Sequence, residues 1–155
     1  MRDGYRGITA MEVLIVVAIL VIVAGIAMPG ILRGIQSYRL RVAAWELAGD
    51  LRLARQKAVS TQARHRICLS NCDSPVPVGG YLLEREDAVG WGLDMARTDL
   101  PNGVIIVTNA GGGKLTFEAK GEVNPATTTL TNEAGSYQVK TAQSGRVKVC
   151  KGTCP

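Results

Sequence analysis

Residues 8–28 read ITAMEVLIVVAILVIVAGIAM, a run of 21 positions in which Glu12 is the only charge. Wound as a helix, the run reaches about 31 Å, which matches the roughly 30 Å hydrocarbon core of a bilayer. MRDGYRG precedes it, and its Arg2 and Arg6 are cations that stay on the cytoplasmic side. One crossing is therefore expected, with the N-terminus cytoplasmic and everything after residue 28 outside. Glu12 is the anomaly in this run. A carboxylate inside a bilayer costs a few kcal/mol, so a lone one implies a partner, and an amino terminus is the natural candidate. The competing account is a glutamate near a helix start, favoured by the helix dipole and snorkelling to the headgroups.

Downstream, Pro29-Gly30 ends the apolar run and is expected either to kink or locally melt the helix, because proline removes a ladder donor and clashes with the preceding turn, or simply to mark the exit from the membrane. Helical periodicity then resumes in two stripes. Ile31, Ile35, Tyr38, Val42 and Trp45 form the first, and Ala44, Leu47, Leu51, Ala54 and Ala58 form the second, shifted around the axis. One stripe is expected to pack on a globular domain and the other along neighbouring helices, with the helix ending near Ser60. Arg33, Arg39, Arg41, Arg52, Arg55, Lys57, Arg64 and Arg66 are expected on a solvated face beside anionic headgroups; a nucleic-acid track would use the same charges.

Beyond Arg66 the texture changes to short β-compatible runs: RICLS, GGYLLER, GVIIVT, KLTFEA, TTTLTN, SYQVKTA and GRVKVC. Breaks fall at Gly79-Gly80, Pro101-Asn102-Gly103, Gly111-Gly112-Gly113 and Gly135, and 73–77 reads as an exposed loop. The fold class expected is α+β, a long N-terminal helix packed on a small antiparallel β-sandwich. Composition agrees with that organisation: 155 residues, 46% hydrophobic and 20% charged, exclude a multidomain enzyme and a disordered chain. The net charge of +5 is uneven. Residues 30–66 hold eight Lys/Arg against two acids, whereas residues 67–139 hold four against nine.

Cys68, Cys72, Cys150 and Cys154 stand as two CxxxC pairs in the part expected to face an oxidising compartment, so disulfides are the natural reading. Three connectivities are open; Cys68 with Cys72 and Cys150 with Cys154 is preferred, since each pair brackets a short loop after a strand. A four-thiolate zinc site is the rival, although structural zinc sites commonly use CxxC knuckles. Catalytic patterns are missing: the sequence has no GxSxG, no HExxH and no GxGxxG followed by an acid. His65 is the single histidine and is expected at the core edge or surface. Glu84, Glu86 and Asp87 crowd one strand end, where a calcium loop is conceivable without matching an EF-hand. No enzyme activity, metal or cofactor is expected.

Arg6-Gly7, then Ile8-Thr9, Glu12 and an aliphatic run together resemble a class III prepilin signal. That resemblance implies cleavage by a prepilin peptidase between Gly7 and Ile8, an N-methylated Ile8, and Glu12 as the fifth mature residue, meeting the N-terminal ammonium of a neighbouring subunit. LRLARQKAVSTQARHRICLS, LPNGVIIV, LTFEAKGEV and SGRVKV extend the likeness over nearly the whole chain to the GspH/FimT family of pseudopilins and minor pilins. The implied organisation is a leader at 1–7, a membrane and filament-core helix at 8–28, its amphipathic second half at 29–62, and a periplasmic β-rich domain at 63–155. Implied partners are the peptidase, other pilin-like subunits in a helical filament, an inner-membrane assembly platform and, before assembly, the membrane itself. The implied function is a structural minor subunit of a type II secretion or type IV pilus filament. Some FimT-like members instead bind DNA during transformation through a Gly-Arg-x-Arg phrase, where this chain has Gly145, Arg146, Val147 and Lys148. Lysine keeps the phosphate-seeking charge but loses the planar fork of arginine. Arg146 and Lys148, with Lys151 and Lys140 nearby, are the DNA-binding candidates.

Overall fold

The computed structural model describes residues 9–76 and 79–154. A single helix, α1 (Ala10–Thr61), is followed by eight strands: β1 (His65–Cys68), β2 (Tyr81–Asp87), β3 (Gly90–Thr98), β4 (Ile105–Thr108), β5 (Lys114–Phe117), β6 (Ala126–Asn132), β7 (Gly135–Thr141) and β8 (Val147–Lys151). The chain divides after Ile35 into two compact units.

The first unit, among its described residues, is the apolar part of α1. Thr9 stands at the helix entrance, where its Oγ1 accepts the Glu12 N–H at 3.3 Å, so residues 9–12 form the Thr-x-x-Glu pattern of a helix start. From there the helix is long and apolar enough to cross a membrane. α1 continues through Pro29 and Gly30, so local melting of the helix there is absent. Proline removes only one donor from a 52-residue ladder, and the hydrogen bonds on either side hold the helix together.

The second unit, from Gln36, is the α+β head expected from the sequence. Two antiparallel four-stranded sheets, ordered β3-β2-β1-β5 and β4-β6-β7-β8, enclose a core with the second half of α1. The helix contributes Leu40, Ala43, Ala44, Leu47, Ala48, Leu51, Ala54 and Ala58, all buried and spaced three or four apart so that they share one face. Ile67, Tyr81, Leu115, Phe117, Leu130 and Val139 close on them from both sheets. The other sequence stripe stays outside, with Tyr38 at 70% and Trp45 at 50% exposure. The second stripe is therefore the one that packs on the head.

Polar contacts fix both ends of this helical segment. Asn132 Nδ2 donates to the Gln36 carbonyl at 2.8 Å and Gln36 Nε2 to Glu133 at 3.0 Å, tying α1 to the β6–β7 turn. At the far end Thr61 Oγ1 donates to the Lys57 carbonyl at 2.8 Å and Gln62 Nε2 to the Val59 carbonyl, satisfying carbonyls that the last turn leaves open. Gln62 itself takes φ +53°, the left-handed conformation that stops a helix. β3 is absent from the strands expected by sequence. It is the return arm of a hairpin with β2, pairing Glu84 with Leu93 and Asp87 with Gly90. Its text, GWGLDMART, hides a period of two in Trp91, Leu93 and Met95 behind two glycines and an aspartate.

The two stripes predict different mutational costs. Leu51→Ala, which empties a fully buried position, should destabilise the head by about 2–5 kcal/mol. Trp45→Ala on the open stripe should cost less than about 1 kcal/mol. Denaturant unfolding of the two variants in detergent, followed by circular dichroism, tests the difference.

Candidate functional site

Glu12, the residue expected to guide assembly, lies in the first turn of α1 and is exposed. Gly7 and Ile8, the expected processing site, lie outside the described residues. The exposed apolar surface of the first unit runs from Met11 to Leu32 and includes Leu14, Leu20 and Ile26. A helix with apolar side chains on all sides has no solvated face, so its surroundings must be lipid or other apolar helices. On the head, the open stripe ends in a shallow hollow lined by Tyr38, Arg41, Val42, Trp45 and Glu46. Partial burial there and the charge of Asp50 one turn on push the Glu46 carboxyl above its ordinary value.

The C-terminal basic phrase sits on a hairpin whose geometry explains its glycine. Gly145 N–H donates to the Ala142 carbonyl at 2.8 Å and Ala142 N–H to the Arg146 carbonyl at 2.9 Å, closing a three-residue loop between β7 and β8. Gly145 takes φ +75°, and a Cβ there would strike the Gly121 carbonyl oxygen and the Arg55 side chain. Arg55 Nε donates to that same carbonyl at 3.2 Å. The glycine is thus demanded by the turn and its packing, before any ligand is considered.

Register then sorts the cations. Lys140 pairs directly with Lys148, and Thr141 with Val147, so Lys148, Lys140 and Arg146 share the outer face of the sheet. Lys151 pairs with Tyr137 and has the parity of Val149 and Val139, which belong to the core side. It therefore does not extend the Arg146–Lys148 row. Lys140 and Lys148, both exposed, thus stand directly opposite each other on adjacent strands.

The basic face expected along residues 33–66 is only partly present. Arg66 is buried: its Nε donates to Glu84 at 2.7 Å, it ion-pairs with Asp73, and its guanidinium lies 3.9 Å from the Trp91 ring centroid. Arg64 pairs with Glu86 and Lys57 with Asp94. Strand β1 carries Arg64–Arg66 into a sheet whose neighbour β2 supplies the acids, and the two like-charged clusters of the sequence neutralise each other. Glu84, Glu86 and Asp87 are accordingly partners of Arg66, Arg64 and Arg85, which corrects the solvated-face expectation for the buried Arg66. Loop 73–77, described through residue 76, is held to the sheet by Asp73 and by Ser74 N–H donating to Glu84 at 3.1 Å. His65 is fully buried, with Nδ1 3.0 Å from the Ala63 carbonyl and Nε2 3.6 Å from Asp94, too far for a hydrogen bond.

Disulfides join Cys68 to Cys72 and Cys150 to Cys154, with Cα separations of 5.8 and 5.4 Å, and close short loops after β1 and β8. All four sulfurs are consumed, and among the described residues no group of His, Cys, Asp or Glu is arranged to hold a metal ion.

Against this geometry, the family described as "Type II transport protein GspH" matches residues 43–145. The chain belongs to the GspH family. The match spans the buried stripe of α1 from Ala43 on and strands β1 to β7, and ends in the β7–β8 turn. Among solved structures, the minor pseudopilin EpsH from the type 2 secretion system of Vibrio cholerae aligns with TM-score 0.62 at 16% identity, covering 73% of this chain and 97% of that one. The type IV minor pilin FimU of Pseudomonas aeruginosa aligns with TM-score 0.58 at 22% identity, covering 74% of this chain and 90% of that one. These likenesses show a shared fold. No curated protein matches the chain. The family's description assigns its members to type II transport.

For this GspH-family head, the buried Arg66–Glu84 pair should matter far more than its exposed counterpart. Glu84→Gln leaves a buried guanidinium short of charge and should cost about 3 kcal/mol, whereas Glu86→Gln should cost less than about 1 kcal/mol. Thermal unfolding of the two variants side by side reads the difference.

Proposed function

We propose that this chain is made as a prepilin, cut between Gly7 and Ile8, methylated at Ile8 and stored in the inner membrane with its head in the periplasm. It is then drawn into a helical filament as a minor subunit. The observation that carries this reading is the first turn of α1: a lone carboxylate at Glu12, preceded by the Thr9 cap and followed by a helix apolar on every side. Once cut, the chain begins one residue before Thr9, and Glu12 stands within reach of a neighbour's new ammonium. Pairing the two charges removes the cost of a carboxylate among hydrocarbon and registers one helix against the next. In the membrane the exposed apolar side chains meet lipid; in the filament they meet other helices.

Glu12→Ala should abolish filament incorporation while the head keeps its melting temperature, as read by immunoblotting of sheared filaments and by circular dichroism. Mass spectrometry of the assembled subunit should give an N-terminus at methylated Ile8; a subunit retaining residues 1–7 in the filament defeats the processing reading.

A second reading, a subunit that binds DNA through its head, is favoured by one specific observation. Arg146, Lys148 and Lys140 share an exposed face, and no side-chain carboxylate stands among the paired residues of that face on β7 and β8. Such a patch suits phosphate backbone without reading sequence. Binding of duplex DNA to the detergent-solubilised chain should then weaken steeply with salt and be lost in Arg146→Ala/Lys148→Ala. Absence of binding at low salt leaves the filament subunit alone.

A further inference from the structure

The two disulfides close loops of equal sequence length, but they stand over different contacts. After β8 the Cys150–Cys154 loop lies against the neighbouring strand, with Gly152 N–H donating to the Ser136 carbonyl at 2.9 Å and Cys154 N–H to Gln138 Oε1 at 2.9 Å. After β1 the Cys68–Cys72 loop leads straight into Asp73 and Ser74, which complete the surroundings of the buried Arg66–Glu84 pair. Asp73 ion-pairs with Arg66, and Ser74 N–H donates to Glu84 at 3.1 Å.

Little besides the disulfide fixes that lead. Leu69 N–H donates to the Gly113 carbonyl at 2.9 Å, but among the described residues no N–H of 70–72 finds an acceptor. Asn71 takes φ +52°, a left-handed conformation that asparagine tolerates better than most residues but still at a cost. The Asp73 side chain is 56% exposed, whereas Arg66 and Glu84 are buried. An exposed carboxylate has water as a ready alternative to its ion partner, so the pair persists only if the chain keeps Asp73 in place. A bond from Cys68, at the end of a central strand, to Cys72, one residue before Asp73, does so by removing the freedom of the residues between.

We propose that the Cys68–Cys72 bond is a thiol-sensitive latch: a dithiol that reduces it frees Asp73 and Ser74 from the Arg66–Glu84 pair while the helix and both sheets stay folded. Cys68 is fully buried and Cys72 only partly, so the reagent's thiolate attacks Cys72 Sγ. A mixed disulfide forms there, and Cys68 leaves as a thiolate that takes up a proton. The reagent's second thiol then closes on its own sulfur and releases Cys72 as the second thiol. Two electrons and two protons thus pass from the dithiol to the protein. The sheet survives because Arg66 keeps Glu84 at 2.7 Å and the Trp91 ring centroid at 3.9 Å, and neither residue belongs to the loop.

The full chain in detergent, carrying Cys150→Ser/Cys154→Ser so that one disulfide remains, is treated with dithiothreitol and its amide exchange is followed by NMR. Alkylation and mass spectrometry confirm the two free thiols. Ser74 should exchange at least about tenfold faster once the bond is reduced, while Val139 in β7 keeps its rate. Reduction should also lower the melting temperature, and by less than about half as much in Asp73→Asn, where the contact that the bond maintains is already missing. If the double serine variant does not fold, the native chain takes its place, with differential alkylation reporting which bond has opened. An unchanged Ser74 rate after full reduction overturns the proposal. So do equal acceleration at Ser74 and Val139, equal melting shifts with and without Asp73→Asn, and a bond that resists the dithiol in the folded chain.

Discussion

One helix has to satisfy two solvents, and the head depends on how that is done. From Val13 to Leu32 α1 is apolar on every side, which suits lipid or other helices, whereas from Gln36 on it must bury a single face against sheets while the rest meets water. Alanine makes the second arrangement work. Ala43, Ala44, Ala48, Ala54 and Ala58 are all buried, and their small side chains let strands approach the helix closely, with Leu40, Leu47 and Leu51 as the large contacts between them. Neither four-stranded sheet has a core of its own without this face. Tyr81, whose ring is buried against it, also hydrogen-bonds Asp50 of the helix at 2.7 Å, so the same contact sets both packing and orientation.

Electrostatics in the head follows from that packing. Placing β1 at the centre of a sheet carries Arg66 into the interior, where a charge without partners would cost several kcal/mol. Glu84, Asp73 and the Trp91 face surround it, and the Ser74 N–H takes the remaining Glu84 oxygen. A loop that reads as a free connection is thereby fastened to the sheet. The C-terminal turn is built in a similar way from backbone demands: Arg55 Nε holds the Gly121 carbonyl beneath Gly145.

The overall class was legible in the sequence because its signals are long. A 21-residue apolar run and a stripe from Ala44 to Ala58 leave little choice of structure. The strands with simple alternation, such as Thr127 to Thr131, were legible for the same reason, since the period of two needs no partner to be seen. What was not legible was contact between separate segments. Nothing local distinguishes Arg66 from Arg64, yet one is buried and the other exposed, because only the pairing of β1 with β2 brings Glu84 opposite Arg66. Parity across a hairpin is equally hidden: Lys148 and Lys151 differ by three positions, an odd number that sends them to opposite faces once β8 is a regular strand. Local melting at Pro29 is absent for the converse reason, as a strong local rule applied to a helix long enough to absorb it.

The remaining asymmetry concerns how such a head meets other molecules. Described clefts are shallow and open, the sulfurs are paired, and most acids near β2 are bound to arginines, so the chemistry left at the surface is that of faces and edges. Those are unequal. The β8 side presents Arg146, Lys148 and Lys140. The β4 side presents uncharged β-branched residues where a lone domain would be expected to place a guard. Two edges of one sheet with opposite character give the head a direction, which a symmetric sandwich lacks.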